Sequence, residues 1–127
     1  MANIWIASSD GDLARVSELI ESGISPNAYD DNTYTPMHAA ASYNHIDLLE
    51  FLVLHGGDVN IADEDGDTPL YVVESIETAR WLVEHGAIIE RTNNEGLSPA
   101  EALLEDYPDV AVFLGATIET EKLETLD

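Results

Sequence analysis

The fold is decided by residues 35–57, which read TPMHAAASYNHIDLLEFLVLHGG. A threonine followed by proline is a good helix start, because the hydroxyl caps the helix and proline fits its first turn. We therefore predict a first helix from Pro36 to Tyr43, with Asn44 in the left-handed turn after it. Apolar residues at helical spacing predict a second helix from His45 to Leu54, ended by the following histidine and glycines.

This helix–turn–helix unit recurs along the chain. The Thr-Pro start returns as Thr68-Pro69 and then as Ser98-Pro99, 33 and 30 residues later. The glycines keep the same spacing, at Gly23, Gly56 and Gly86. Two markers with one period predict stacked helical repeats joined by extended polar loops. We call these loops fingers, and we call residues in the same place of successive repeats equivalent.

These residues resemble the ankyrin repeat family, whose unit of about 33 residues starts Thr-Pro-Leu-His-x-Ala. The matching positions of one unit are Thr35-Pro36-Met37-His38-Ala39-Ala40-Ala41, Leu48-Leu49, Leu52, His55-Gly56 and Val59-Asn60. The resemblance implies an all-α solenoid of about four repeats, forming a single domain over residues 1–127. The repeats are expected at about 1–30, 31–63, 64–93 and 94–127. The chain also resembles small fungal ankyrin proteins.

Departures from the pattern predict two end caps around one full and one shortened inner repeat. The third unit has lost three residues near Ser75, so its first helix is expected to be short. Trp5 and Glu101 stand where the pattern has histidine, and Pro108 opens the second helix of the last unit. Such changes suit end repeats, which need one polar face because no neighbour covers it. The acidic tail, about 117–127, is expected to fray.

The composition indicates one soluble intracellular domain. The 127 residues fit a single domain, and 45% hydrophobic with 24% charged residues is ordinary for a folded chain. The absence of cysteine favours a reducing compartment. No stretch reads as a secretory signal or membrane span, so we expect the protein in the cytoplasm, the nucleus or both.

Charge limits the possible partners. Four Lys and Arg face 26 Asp and Glu, which gives a formal net charge of −22. Phosphate backbones and anionic lipids are repelled by such a surface, so we expect neither nucleic acid nor membrane as a ligand. Two interpretations stay open: the charge keeps a monomer soluble, or it attracts a basic protein.

No residue pattern indicates catalysis or a cofactor, so we predict that the chain is not an enzyme. The resemblance gives His38 the role of tying neighbouring loops together, while His55 and His85 suit the negative ends of helices. A phosphate loop, a serine elbow and metal-spaced His and Glu pairs are all missing from the sequence. We expect replacement of His38 or His85 to cost about 1 kcal/mol of stability each.

One acidic stretch imitates a calcium loop. Asp63, Asp65, Asp67 and Glu74 fall at loop positions 1, 3, 5 and 12. Position six needs glycine for its sharp turn but holds Thr68, which starts a helix. We therefore predict no metal site and interpret the stretch as a finger.

Asn60 allows two interpretations. It resembles the asparagine that a dioxygenase hydroxylates in some ankyrin repeats, and it also fits the turn pattern of the family. The structural role is the simpler interpretation, and modification stays open.

Aromatic residues divide into core and surface candidates. Phe51 and Trp81 occupy equivalent positions and are expected in the core. The candidate partner anchors are Tyr29, Tyr34, Tyr43 and Tyr71, because tyrosine is common in binding hot spots, although burial against neighbouring fingers is an alternative. The full set of predicted partner-binding residues is Asp30, Asp31, Tyr34, Tyr43, Asp63, Glu64, Asp65, Asp67 and Glu95.

The predicted function is protein–protein interaction. The concrete version is an acidic adaptor or chaperone for a basic client, such as a ribosomal protein, a histone or a basic import segment. The alternative is a regulatory subunit or inhibitor that docks on an enzyme through the concave groove implied by the resemblance. Salt dependence of binding separates the two.

Overall fold

The computed structural model describes residues 3–115, which contain helices and no strand. The elements are α1 (Ile4–Asp10), α2 (Leu13–Glu21), α3 (Pro36–Ser42), α4 (Ile46–Leu54), a 3₁₀ turn (Pro69–Tyr71), α5 (Ile76–Glu84) and α6 (Pro99–Leu103). Residues 108–115 are also helical, and we call them α7. The predicted all-α fold is confirmed, with α3 ending one residue earlier than expected.

Side-chain caps explain where the helices begin. In each case the capping oxygen accepts a hydrogen bond from the backbone N–H three residues later, which would otherwise lack a partner. The caps of this kind are Asn3, Asp12, Thr35, Ser75 and Ser98. Between α3 and α4, Asn44 has a φ of 61° and makes the left-handed turn predicted for it. The local sequence thus sets the helix boundaries.

The core lies between two rows of helices. In the inner row α1 packs on α3, α3 on the 3₁₀ turn and the 3₁₀ turn on α6, while α2 and α4 lie against α1 and α3. The largest side chains with no solvent exposure include Met37, Leu48, Leu49, Leu52, Leu70, Leu82, Val110 and Leu114. This burial along the whole stack makes the repeats a continuous solenoid. Within residues 3–115 no helix has the length and apolarity to cross a bilayer.

The third repeat accommodates its missing residues by shortening the inner element. A 3₁₀ turn of three residues replaces the helix of seven residues found in the second repeat, as predicted. Asn44 of the second repeat contacts the residues that follow this shortened element. Its Oδ1 lies 3.0 Å from the hydroxyl of Ser75 and 2.9 Å from the hydroxyl of Thr78. The turn residue of one repeat therefore holds the start of α5 in the next.

The last repeat has a polar start. Ser98 and Glu101 form a reciprocal capping box, and the hydrogen bonds from Ser98 lower the pKa of the Glu101 carboxyl. Pro108 begins α7, as expected. The acidic tail that we predict to fray lies outside the described residues.

Ser8 is expected to reduce stability in its present position. Its side chain is completely buried in α1, and its hydroxyl is the buried side-chain polar atom without a hydrogen-bond partner among the described residues. The equivalent residue is Ala41, which is equally buried. Replacing Ser8 with alanine should raise the free energy of unfolding by about 1 kcal/mol, because an unpaired hydroxyl is removed from the core. Urea denaturation followed by circular dichroism measures this.

The reciprocal change is the matched control. Ala41→Ser places the same hydroxyl in the equivalent position of α3 and should lower stability by about 1 kcal/mol. If Ser8→Ala left stability unchanged or lowered it, the hydroxyl would have a partner that stabilises the native state.

Candidate protein-interaction surface

The fingers share one hydrogen-bond arrangement at their tips. In each tip the side-chain oxygen of one residue accepts two backbone N–H groups, two and four residues later. The three equivalent acceptors are Asp30, Asp63 and Asn93, with distances of 2.8 to 3.0 Å. An aspartate or asparagine side chain is suited to this bond with its own turn. These residues therefore shape the fingers.

This arrangement divides the predicted carboxylates into two groups. One oxygen each of Asp30 and Asp63 is engaged within its own loop. Asn93 forms the same bonds with a neutral amide, so the loop requires the oxygen but no charge. Asp67 accepts a hydrogen bond from the Asn93 amide at 2.9 Å, and its partial burial raises the pKa of its carboxyl. Of the six predicted finger carboxylates of residues 30–67, these three therefore have an oxygen engaged in hydrogen bonds within or between the fingers.

Neighbouring fingers are bonded to each other. The hydroxyl of Thr33 accepts the backbone N–H of Glu64 at 2.7 Å. The backbone N–H of Asn94 donates to the carbonyl of Asp65 at 2.9 Å, and its side-chain amide donates to the carbonyl of Glu64 at 2.8 Å. The three tips therefore lie side by side in one row.

The exposed carboxylates along this row are Asp31, Glu64, Asp65 and Glu95. Within residues 3–115 the one ion pair joins Arg15 to Glu18 on α2, at 3.0 Å. No Lys or Arg of residues 3–115 therefore forms an ion pair with the row. Closely spaced exposed carboxylates of this kind produce a negative potential that attracts a basic partner.

Three carboxylates of the second finger also lie close together. Ligand atoms of Asp63, Asp65 and Asp67 all fall within 4.8 Å of one another. The fourth residue of the calcium-like pattern, Glu74, instead lies near Tyr107, whose pKa is raised by desolvation and by the Glu74 carboxylate. The finger turn accounts for the cluster, and the predicted absence of a metal site stays a prediction.

Two asparagines link the bases of successive fingers. The amide of Asn60 donates to the carbonyl of Gly86 at 3.0 Å and accepts the N–H of Ile88 at 2.8 Å. Asn27 makes the equivalent pair of bonds one repeat earlier, with Gly56 and Asp58. These bonds account for the turn role of Asn60. Its hydroxylation stays untested.

His38 is buried and joins two loops. Its Nε2 lies 2.8 Å from the carbonyl of Asp67, which can only accept, so Nε2 carries the proton. Its Nδ1 lies 2.8 Å from the hydroxyl of Thr35, which can therefore donate to it. The prediction that His38 ties neighbouring loops together is confirmed. His55 and His85 each donate from Nδ1 to a carbonyl of their own helix.

Stability is expected to fall below pH 6.5 because of His38. Burial lowers its pKa, although the Asp67 carbonyl and the carboxylates of Asp63, Asp67 and Asp30 oppose the shift. The unfolded chain therefore takes up the proton first, and stability present above pH 6.5 is lost as the pH falls towards the lowered value. Each unit of lowering corresponds to about 1.4 kcal/mol.

A His38→Gln variant isolates this effect. The difference in free energy of unfolding between wild type and variant should shrink between pH 7 and pH 5, since both share all other titrating groups. A difference that stayed constant over this range would show that His38 binds protons equally in both states.

Trp5 and Tyr71 occupy the position of His38 in their own repeats. The Trp5 indole N–H donates to the carbonyl of Ala28 at 2.8 Å, and the Tyr71 hydroxyl lies 2.7 Å from that of Leu97. Tyr71 is buried, and burial raises its pKa to about 12. The interpretation of Tyr71 as a partner anchor is therefore wrong. Its ring and hydroxyl are used within the solenoid.

The remaining tyrosines have different surroundings. Tyr34 is half-buried, stacks on His38 with ring centroids 5.9 Å apart, and has its pKa raised by burial. Tyr43 is 58% exposed but lies at the far end of α3 from the finger, about 10 Å along the helix. Tyr29 is 54% exposed and lies in the first finger. Of the three, Tyr29 is both exposed and in the finger row.

A cleft of about 360 Å³ lies between α1 and the first finger. Its lining includes Trp5, Ile6 and Tyr29, with Asp30 and Asp31 beside them. Ile6 is 51% exposed, whereas the equivalent Ala39 has no exposure. The sequence analysis did not identify Ile6 as a surface residue. The available signal was that the first repeat has isoleucine where the second repeat has the small residue Ala39.

The repeats of stacked helices correspond to one known protein family. Its model, described as ankyrin repeats, matches residues 4–93 in three copies. The chain belongs to the ankyrin repeat family. Its repeat is a non-catalytic interaction fold, so this part of the chain is a protein-interaction module.

Relatives agree with this assignment. An ankyrin repeat-containing protein of Schizosaccharomyces pombe is 50% identical over 115 residues, covering 88% of this chain and 56% of that protein. The predicted similarity to a fungal ankyrin protein is thereby confirmed. Protein phosphatase 1 regulatory subunit 27 of Homo sapiens is 30% identical over 114 residues, covering 86% of this chain and 74% of that protein. The chain spans little more than half the length of the fission-yeast relative.

Proposed function

We propose that this ankyrin repeat protein is an adaptor or chaperone that binds a basic client through its fingers. The observation that carries the proposal is the row of exposed carboxylates at Asp31, Glu64, Asp65 and Glu95, without a cation pairing to them in residues 3–115. The net charge of −22 adds long-range attraction for a basic protein. The proposal includes a monomer in the cytoplasm or nucleus, with no catalytic activity and no nucleic-acid or membrane ligand.

The second candidate function is a regulatory subunit that docks on an enzyme. Its support is the 30% identity to a regulatory subunit of protein phosphatase 1. In that case apolar contacts would supply most of the affinity, and binding would depend little on ionic strength.

Two purified probes separate these functions: core histones as a basic client and the catalytic subunit of protein phosphatase 1 as an enzyme. The test variant neutralises the row through Asp31→Asn, Glu64→Gln, Asp65→Asn and Glu95→Gln. The control neutralises four exposed carboxylates of the outer helices through Glu21→Gln, Glu50→Gln, Glu77→Gln and Glu84→Gln. Both variants change the net charge equally.

The finger variant should bind histones about 10- to 100-fold more weakly than wild type at low salt, since each exposed ion pair contributes about 0.2–1 kcal/mol. The outer-helix control should stay within about twofold if the row itself makes the contacts. Calorimetry at two salt concentrations measures the histone affinity of both variants. Circular dichroism confirms that their helicity equals that of wild type. Equal weakening of the two variants would contradict the finger site. Salt-independent binding to the phosphatase alone would favour the second function.

A further inference from the structure

We propose that the cleft between α1 and the first finger anchors a partner peptide by one arginine or lysine next to an aliphatic side chain. This inference rests on the proposed function and gives it a defined subsite. The cleft lies at the amino-terminal end of the finger row and combines exposed apolar side chains with free negative charge.

The apolar part of the cleft is held in place by the protein itself. Trp5 donates its indole N–H to the carbonyl of Ala28, and Tyr29 donates its hydroxyl to the carbonyl of Ala62 at 3.1 Å. Both aromatic side chains thus have their polar groups paired, and Ile6 lies beside them. What remains for a ligand is apolar surface of fixed shape, which binds without the cost of ordering mobile side chains.

The charge at this cleft selects a cation. Asp30 and Asp31 line it together with the neutral side chains of Asn3 and Asn32, and its lining contains no Lys or Arg. Asp31 is exposed, and one oxygen of Asp30 stays outside the bonds of the finger turn. An arginine or lysine can lay its aliphatic stem on the apolar residues and bring its charged end to the carboxylates. The nearby aromatic rings favour the same cation.

The large side chains of the cleft are a feature of the first repeat. In the second repeat the residues equivalent to Trp5, Ile6 and Tyr29 are His38, Ala39 and Ala62, which fold into the same architecture. The first repeat therefore has large apolar side chains where the second has a buried histidine and two alanines. This difference gives a partner one defined point of attachment on an otherwise repetitive surface.

The test uses acetyl-Ala-Leu-Arg-Leu-Ala-amide as the probe, with Glu in place of Arg and Ser in place of both Leu as comparison peptides. The readout is the indole N–H resonance of Trp5 in ¹⁵N-labelled full-length protein. Trp81 is the internal reference, because it is buried and stacked on His85 at 3.8 Å. The Leu-Arg-Leu peptide should shift the Trp5 signal saturably and leave that of Trp81 unchanged, while the comparison peptides should bind at least fivefold more weakly.

Two matched double variants test whether the peptide binds in the cleft. Asp30→Asn with Asp31→Asn gives the first finger the Asn-Asn pair of the third finger, so its turn is preserved. Asp63→Asn with Glu64→Gln makes the same charge change at the equivalent positions of the second finger. The first variant should weaken peptide binding about tenfold or more, and the second should leave it within about twofold. Ile6→Ala, which copies Ala39, should also weaken it several-fold.

Equal weakening by the two double variants, or no shift of the Trp5 signal, would overturn the cleft site. Histone binding by the same samples keeps this result separate from the proposed function. Retained, finger-dependent histone binding would mean that the fingers act without the cleft. If the wild-type protein failed to bind histones, the proposed function itself would be refuted, even if the peptide still bound.

Discussion

Replacing Gly11 with alanine is expected to lower the free energy of unfolding by about 3 kcal/mol. Gly11 ends α1 with a φ of 70°, a left-handed conformation that costs an L-residue about 1–2 kcal/mol. An added Cβ would also lie 2.7 Å from the His45 ring. That ring cannot move without losing the 2.8 Å contact between its Nε2 and the carbonyl of Ser9, which contributes about 1 kcal/mol. Urea denaturation measures the total.

Gly96 provides the matched control. It has a φ of 79°, and a Cβ there would meet nothing within 4 Å, so Gly96→Ala should cost only the 1–2 kcal/mol of backbone strain. In a His45→Ala background, the loss of stability caused by Gly11→Ala should fall to the same 1–2 kcal/mol. If Gly11→Ala and Gly96→Ala had equal effects in the wild-type background, the contact with His45 would carry no energy.

Replacing His38 with alanine is expected to lower stability by about 3 kcal/mol. The side chain has no solvent exposure, and both ring nitrogens have partners in Thr35 and Asp67. Alanine would remove the hydrogen bond to the Asp67 carbonyl, which would keep its bond from the Asp63 N–H, and this loss costs about 0.5–1.5 kcal/mol. The remaining cost comes from the cavity that alanine would open in the inner row. The substitution would also remove a link between the second and third repeats, so the midpoint of thermal unfolding should fall by several degrees.

His85 is the comparison for this prediction. It is exposed and donates to the Trp81 carbonyl of its own helix, so His85→Ala should cost no more than about 1 kcal/mol. The sequence predicts equal losses for the two histidines, because it gives one the role of holding loops and the other that of a helix end. The expected losses differ because His38 has no solvent exposure, whereas His85 is exposed. Equal measured losses would contradict the role of His38 as a link between repeats.

The architecture could be predicted because it depends on local signals that repeat. Thr35-Pro36 caps and starts α3, Asn44 makes the left-handed turn, and residues 46–54 carry a helical apolar pattern. The shortened third unit followed from counting residues between Pro69 and His85. The caps and turns among these features are each decided within about ten residues of sequence, where capping and turn chemistry act.

The surface was harder to predict because it depends on contacts between repeats. Nothing in the sequence around Asp67 indicates that Asn93, one repeat later, donates to its carboxylate. The burial of Tyr71 likewise depends on carbonyls 20 and 26 residues later in the chain. The cleft requires both α1 and the first finger to be in place before the exposure of Ile6 can be judged. Burial and pairing of this kind follow from stacking geometry, which single-repeat patterns do not contain.

Mapping of a bound basic protein on the solenoid tests whether the fingers are the interaction surface. Backbone amide resonances of the ¹⁵N-labelled chain would be followed while unlabelled core histone is added at low salt. We predict that shifts and line broadening concentrate in residues 29–34, 62–67 and 92–97, which contain the finger tips, and in the indole of Trp5. Amides of α2, α4 and α5 should be little affected. Changes centred on those outer helices, with the finger tips unperturbed, would contradict the proposed binding surface.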